Sequence, residues 1–198
     1  MTNQEFQRIL QPYLNDFSQE EGYFDDDEKR IAYFRQNPAN EDAKEVVLKI
    51  STMEHHQIDQ IIQNRQVMAD HITSLRVDKA LRQGSPEIVA DIAHLEMRGK
   101  SYFLYSFATR FCNWHSMEAY PIYDLNIHQL LSTYWQEVHQ ENLLTDALYQ
   151  YPHFKELMTT FRQEMDMENF NFKEVDKFVW IYGDHILRDF VSLQTKPI

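Results

Sequence analysis

Apolar residues recur along this chain at helical spacing, and the gaps between them are filled by charged and amide side chains. Phe6, Ile9, Leu10 and Tyr13 lie on one face of a helix predicted over 3–16, opened by Thr2-x-x-Glu5, the pattern of a capping box. A second helix is expected over 26–36, with Ile31 and Phe34 inward and Pro38 ending it. Asn40 can cap a third, which carries Val46, Val47 and Ile50. Ile58, Ile61, Ile62, Ala69, Ile72 and Leu75 form one stripe of a long helix, and a shorter helix follows and ends at Gly84. Ser85-Pro86-Glu87 reads as a helix start, with Ile88, Val89, Ile92 and Leu95 as the apolar face of that helix.

Gly99 interrupts the pattern. Residues 100–114 then read as an aromatic-rich helix, apolar on most sides and therefore the most buried. Tyr120-Pro121-Ile122-Tyr123 is extended, because a residue before proline avoids the α region. Asp124 can cap the next helix, whose stripe is Ile127, Leu130, Leu131, Tyr134, Trp135 and Val138. Further helices are expected over 151–165 and 172–192, the last with Phe178, Tyr182, Ile186 and Phe190 in register. These elements imply an all-α fold in a single globular multi-helix domain over 1–198, with 1–40 as a peripheral helical subdomain and 85–192 as the core.

Composition narrows the picture. The 198 residues include 13 Phe and 11 Tyr but 4 Gly and 6 Pro, so large side chains for a core are plentiful and tight turns are scarce. A single cysteine, Cys112, precludes an internal disulfide and a cysteine-based zinc site, and its aromatic neighbours predict a buried structural thiol. The polar N-terminal stretch lacks a secretory pattern and no apolar run is long enough for a bilayer, which makes the cytoplasm the expected location. The formal net charge is −12, which opposes non-specific adhesion to nucleic acid or anionic lipid. Glu20, Glu21, Asp25, Asp26, Asp27 and Glu28 form the densest acidic run, which reads as a solvated loop and helix start.

Several chemistries have no support in the sequence. It contains no G-x-S-x-G, no glycine-rich phosphate loop and no HExxH. Glu87, Asp91 and His94 at helical spacing could supply three metal ligands, as could His55 with Asp59, but acidic helix faces of this kind are commonplace and neither a metal nor another cofactor is expected. Trp114, Trp135, Trp180, Tyr120 and Tyr123 could form a base-stacking pocket. Aromatics at helical spacing usually serve a core, which leaves Tyr120 and Tyr123, in a loop, as the stacking candidates.

The most informative stretch runs from Gly99-Lys100-Ser101, through Phe107 to Trp114, to Tyr120-Pro121-Ile122-Tyr123-Asp124-Leu125-Asn126-Ile127. It resembles the helix-hairpin-helix superfamily of base-excision DNA glycosylases, in particular the 8-oxoguanine-glycosylase-like branch. There, a glycine hairpin leads into a helix carrying a catalytic lysine, and an extended stretch delivers an aspartate to the start of the next helix. Val175-Asp176-Lys177-Phe178-Val179-Trp180 with Tyr182-Gly183 is similar to a C-terminal helix of uncharacterised bacterial proteins of this type. The resemblance covers roughly residues 85–135. It implies a DNA or nucleobase partner, Asp124 as the group that stabilises an oxocarbenium-like sugar, and Lys100 as an amine nucleophile. Arg110, Tyr120, Tyr123 and Asn126 would then contact substrate; the family often has histidine where Asn126 stands. Read without the resemblance, Asp124 is a helix cap, Lys100 a surface lysine and Arg110 a partner for an acid. The chain is then an acidic, non-enzymatic helical interaction protein of the kind found in bacterial stress or phage defence.

Overall fold

The computed structural model describes residues 1–19, 25–53 and 64–194. Ile58, Ile61, Ile62, His55 and Asp59 lie outside the described residues, as do Glu20 and Glu21 of the acidic run. Asp27 of that run is buried and paired with Arg30 at 2.8 Å, in contrast to the solvated stretch expected. The chain divides into two units, one formed by Met1–Tyr23 with Pro121–Ile198 and the other by Phe24–Tyr120. Neither boundary falls at residue 40 or 85. The described residues are mostly helical.

The first unit contains α1 (Asn3–Gln19) and four helices from the C-terminal part of the chain. The capping box forms as expected: Glu5 N donates to Thr2 Oγ1 at 3.2 Å and Thr2 N donates to Glu5 Oε2 at 2.8 Å. Leu14 and Phe17 extend the buried stripe beyond residue 16. Next come α8 (Leu125–Tyr134), a single π turn (Trp135–His139), α9 (Thr145–Leu148), α10 (Tyr151–Glu164) and α11 (Phe172–Gln194). Helices α1 and α8 both pack against α11. The Phe6 ring lies 4.9 Å from Tyr134 and 6.1 Å from Phe190, so one side chain of α1 joins α8 and α11. A second capping box opens α11: Asn171 Oδ1 accepts from Lys173 N and Glu174 N, and Glu174 Oε2 accepts from Asn171 N.

The second unit contains α2 (Asp25–Gln36), α3 (Ala43–Thr52), α4 (Arg65–Ser74), α5 (Asp78–Gln83), α6 (Glu87–Ala93) and α7 (Tyr105–His115). Nine of the eleven residues of α7 are buried, including Cys112, so it is the central helix of this unit, with α2, α5 and α6 against it. Burial pushes the Cys112 thiol above its ordinary range, as expected of an inert structural cysteine.

Four expectations for this unit are corrected. The helix before Gly99 ends at Ala93, and the strand pair β1 (His94–Met97) and β2 (Lys100–Phe103) follows in antiparallel register, with His94 opposite Phe103 and Met97 opposite Lys100. Lys100 therefore lies on a strand, and the helix expected over 100–114 begins at Tyr105. Arg98 at φ 53° and Gly99 at φ 72° form a two-residue loop with both residues left-handed, which suits the twist of a hairpin and cannot continue a helix. Leu95 faces inward in either structure, which is why helical spacing concealed the strand.

The cap of α3 is Asp42, which accepts from Lys44 N, and not Asn40. Asn40 is buried and donates from N and Nδ2 to Asp78. Pro86 precedes α6 with no side-chain cap. Ser85 instead contributes its carbonyl, which accepts from the Tyr120 hydroxyl at 3.2 Å.

Gly84 ends α5 at φ 66°, and a Cβ there would approach Ala119 Cβ to 3.1 Å. Gly84→Ala combines left-handed strain with a tight contact and is expected to cost about 1–3 kcal/mol, read from the urea midpoint. His115 is held to a pKa of about 3, mainly by burial and secondarily by the positive charge of Lys49. Its folded pKa lies below the unfolded one, so acidification protonates the unfolded chain first. Stability should fall as pH drops from about 6.5 toward 3. His115→Gln should lessen that fall between pH 6.5 and 5, where most carboxylates stay ionised, in paired urea melts.

Candidate functional site

The turn into α8 is built from its backbone. Tyr120 to Tyr123 have no regular secondary structure, and all four residues are buried. Asp124 then takes an extended conformation and its Oδ1 accepts from Ile127 N at 2.9 Å, which makes it the N-cap of α8. The carboxylate stands where the orphan amides and dipole of the helix favour negative charge. Asn126 is partly exposed in the first turn of α8.

The tyrosines are core residues, in contrast to the exposed loop side chains expected. Tyr120 is fully enclosed, and its hydroxyl donates to the Ala80 and Ser85 carbonyls. Tyr123 bonds through its hydroxyl to His128 Nδ1 at 2.8 Å, and its ring lies 5.5 Å from Phe154 and 5.4 Å from Tyr149. Burial, followed by the Tyr149 hydroxyl, raises its pKa. Trp114 and Trp135 are buried as well, whereas Trp180 is 65 % exposed.

Lys100 and Arg110 belong to the second unit and Asp124 to the first. Lys100 is exposed on β2, and Arg110 is buried within α7. The three-ligand face of Glu87, Asp91 and His94 does not form, because the helix ends one residue before His94. The imidazole Nδ1 of His94 is instead 2.8 Å from the Ala90 carbonyl. Among the described residues no group of three or more potential ligands is placed to hold a metal ion.

Two polar constellations escaped the sequence reading. In the first unit, Glu164 Oε2 accepts from the Tyr134 hydroxyl and is 2.9 Å from His139 Nε2. The π turn brings His139 back against Trp135, with the rings stacked at 5.0 Å. Burial raises the Tyr134 pKa, aided by the Glu164 carboxylate. These residues lie 25 and 30 positions from Glu164 in sequence, across an irregular turn that periodicity cannot anticipate.

In the second unit Lys49 is fully buried, and its Nζ donates to the Ala39 carbonyl at 2.7 Å and to Asn40 Oδ1 at 2.9 Å. Asn40 in turn donates to Asp78. Burial lowers the Lys49 pKa to about 8, against the opposing influence of Glu45 and Asp78. Asn40 is the only one of these residues singled out from sequence, and then as a cap.

Comparison with known proteins places the chain in a family. The family model HI_0787_N, described as an N-terminal domain, matches residues 9–119. The chain belongs to the HI_0787_N family. The matched segment contains the whole second unit except Tyr120, and ends short of Asp124. A relative from Haemophilus influenzae, titled an uncharacterized protein, is 34 % identical over 121 residues. The alignment takes in 60 % of this chain and 57 % of that protein, so the chain spans little more than half of the relative's length. No solved structure matches. Among the described residues no helix is long and apolar enough to cross a membrane.

The Lys49 tie yields a two-part expectation. Its folded pKa is depressed, so the unfolded chain retains its proton longer, and the lysine's contribution makes stability rise from about pH 8 to about pH 10.5. Lys49→Met should remove that rise. It should also destabilise the fold at pH 7 by about 1–3 kcal/mol, because the buried Asn40 Oδ1 and the Ala39 carbonyl lose their donor. Denaturation midpoints at pH 7, 8.5 and 10 measure both effects.

Proposed function

We propose that this protein binds a nucleobase or nucleic acid, with Asp124 as the group that faces the ligand, and that it acts in the cytoplasm. The reading rests on the resemblance to base-excision glycosylases around residues 85–135. The observation that supports it is the conformation of Asp124: a carboxylate at the N-cap of an amphipathic helix, delivered by a buried Tyr-Pro-Ile-Tyr run. Such a carboxylate is stabilised as an anion and suits a cationic or oxocarbenium-like centre. The unit that carries it has 16 Asp and Glu against 7 Lys and Arg. That field repels a long duplex and favours a nucleobase or a short strand.

Binding is better supported than lyase chemistry. A lysine nucleophile is activated by burial or a neighbouring cation, and Lys100 stands exposed on a strand. The second reading is an acidic, non-enzymatic helical interaction protein of bacterial stress or phage-defence type. It is favoured by the −12 charge together with Trp180 and Leu144, which are 65 % and 72 % exposed.

Fluorescence anisotropy with short lesion-containing and unmodified oligonucleotides at low salt separates the two. Asp124→Asn keeps a good N-cap, so the fold should persist while affinity falls about tenfold or more. Unchanged affinity in Asp124→Asn would remove Asp124 from the ligand site. Absence of binding by the unaltered chain, with a co-purifying protein, would replace the first reading by the second. Borohydride trapping that is lost in Lys100→Ala would establish the lysine as nucleophile.

A further inference from the structure

The hairpin of β1 and β2 carries features that its packing does not account for. Its loop places Arg98 at φ 53°, a conformation that glycine, asparagine or aspartate adopt far more cheaply than arginine. Strain of this kind persists where a side chain is useful. Arg98 and Lys100 flank Gly99, both are exposed, and among the described residues neither side chain has a hydrogen-bond or ion-pair partner.

The register sorts the ribbon into two faces. Leu95 opposite Tyr102 is the inward face at the base, and Leu95 is 4 % exposed. Along the same face, Met97 opposite Lys100 is more open, so the tip overhangs its support. The outward face holds His94 opposite Phe103 and Glu96 opposite Ser101, all exposed. Phe103 is 44 % exposed, with its ring 4.7 Å from His94 and stacked at 5.4 Å, 17° on Tyr105. An aromatic platform thus sits a few residues from two unpaired cations, with Glu96 as the one acid on the ribbon.

Charge favours a polyanion here more than elsewhere on the chain. The unit that holds the hairpin carries 12 Lys and Arg against 15 Asp and Glu, with 7 against 6 over residues 65–120, whereas the other unit carries 7 against 16. Single-stranded nucleic acid pairs phosphates with unpaired bases that stack on exposed rings. We infer that the β1–β2 hairpin is a contact surface for single-stranded nucleic acid, with Phe103 of the outward face beneath a base and Arg98, in the loop at the tip, on a phosphate, while Lys100 on the opposite face adds only to the local positive charge. The inference rests on the nucleic-acid reading proposed above and assigns that reading a surface independent of Asp124.

The test is anisotropy with fluorescent oligo-dT and oligo-U across a salt series, on the full chain. Arg98→Gly removes a charge and relieves the left-handed strain, so it should hold or raise the melting temperature. It should nonetheless weaken binding and reduce the slope of log affinity against log salt by about 0.7. Phe103→Ala should weaken binding on the order of ten- to hundredfold. Trp180→Ala, an exposed aromatic of the other unit, should bind as the unaltered chain does. If the unaltered chain binds and both hairpin variants bind equally well, or Trp180→Ala loses as much as Phe103→Ala, the hairpin assignment falls while the nucleic-acid reading stands. If the unaltered chain binds neither oligomer at low salt, both fall together. Oligo-dT against oligo-U tells a DNA surface from an RNA one, since only RNA offers the 2′-hydroxyl.

Discussion

A helix that is apolar on nearly every side exists only if the chain surrounds it, and α7 imposes that condition on the second unit. Burying Tyr105, Phe107, Phe111 and Trp114 requires α2, α5 and α6 on its flanks. Aromatic contacts register the enclosure: Phe34 of α2 lies 6.3 Å from Phe111, 6.0 Å from Trp114 and 5.0 Å from His115. The same burial makes each polar group on α7 costly unless it is paired. Thr109 Oγ1 donates to the Ser106 carbonyl within the helix, and Asn113 Nδ2 donates to the Tyr120 carbonyl, which ties the segment that leaves α7 back to it.

Much of this was legible because it is local. Thr2 with Glu5, Asp124 and Gly84 each act within a few residues of themselves, and each cap forms as read. The buried stripes of α1, α8 and α11 follow from the same short-range periodicity. What escaped depends on distance or on ambiguous residue types. The hairpin was hidden because Leu95 suits a helix and a strand alike, and because arginine is not a residue that announces a left-handed turn. Asn40 looked like a cap, yet its amide is spent on Asp78, which is 38 residues away. The buried position of Tyr120 depends on the carbonyls of Ala80 and Ser85, which no spacing rule connects to it.

The charge of −12 also changes meaning once it is divided. The unit Phe24–Tyr120 carries 12 Lys and Arg against 15 Asp and Glu, and the remainder of the chain carries most of the excess. A global charge therefore describes solubility and long-range repulsion better than it describes any one surface. The family match falls almost wholly on the less acidic unit.

The π turn after α8 also makes chain length matter. A π turn holds one more residue than an α turn closing the same stretch of helix. The approach of His139 to Glu164 therefore depends on the number of residues between Trp135 and His139 as well as on their identity. A deletion there would alter the winding that carries the imidazole without changing any residue type.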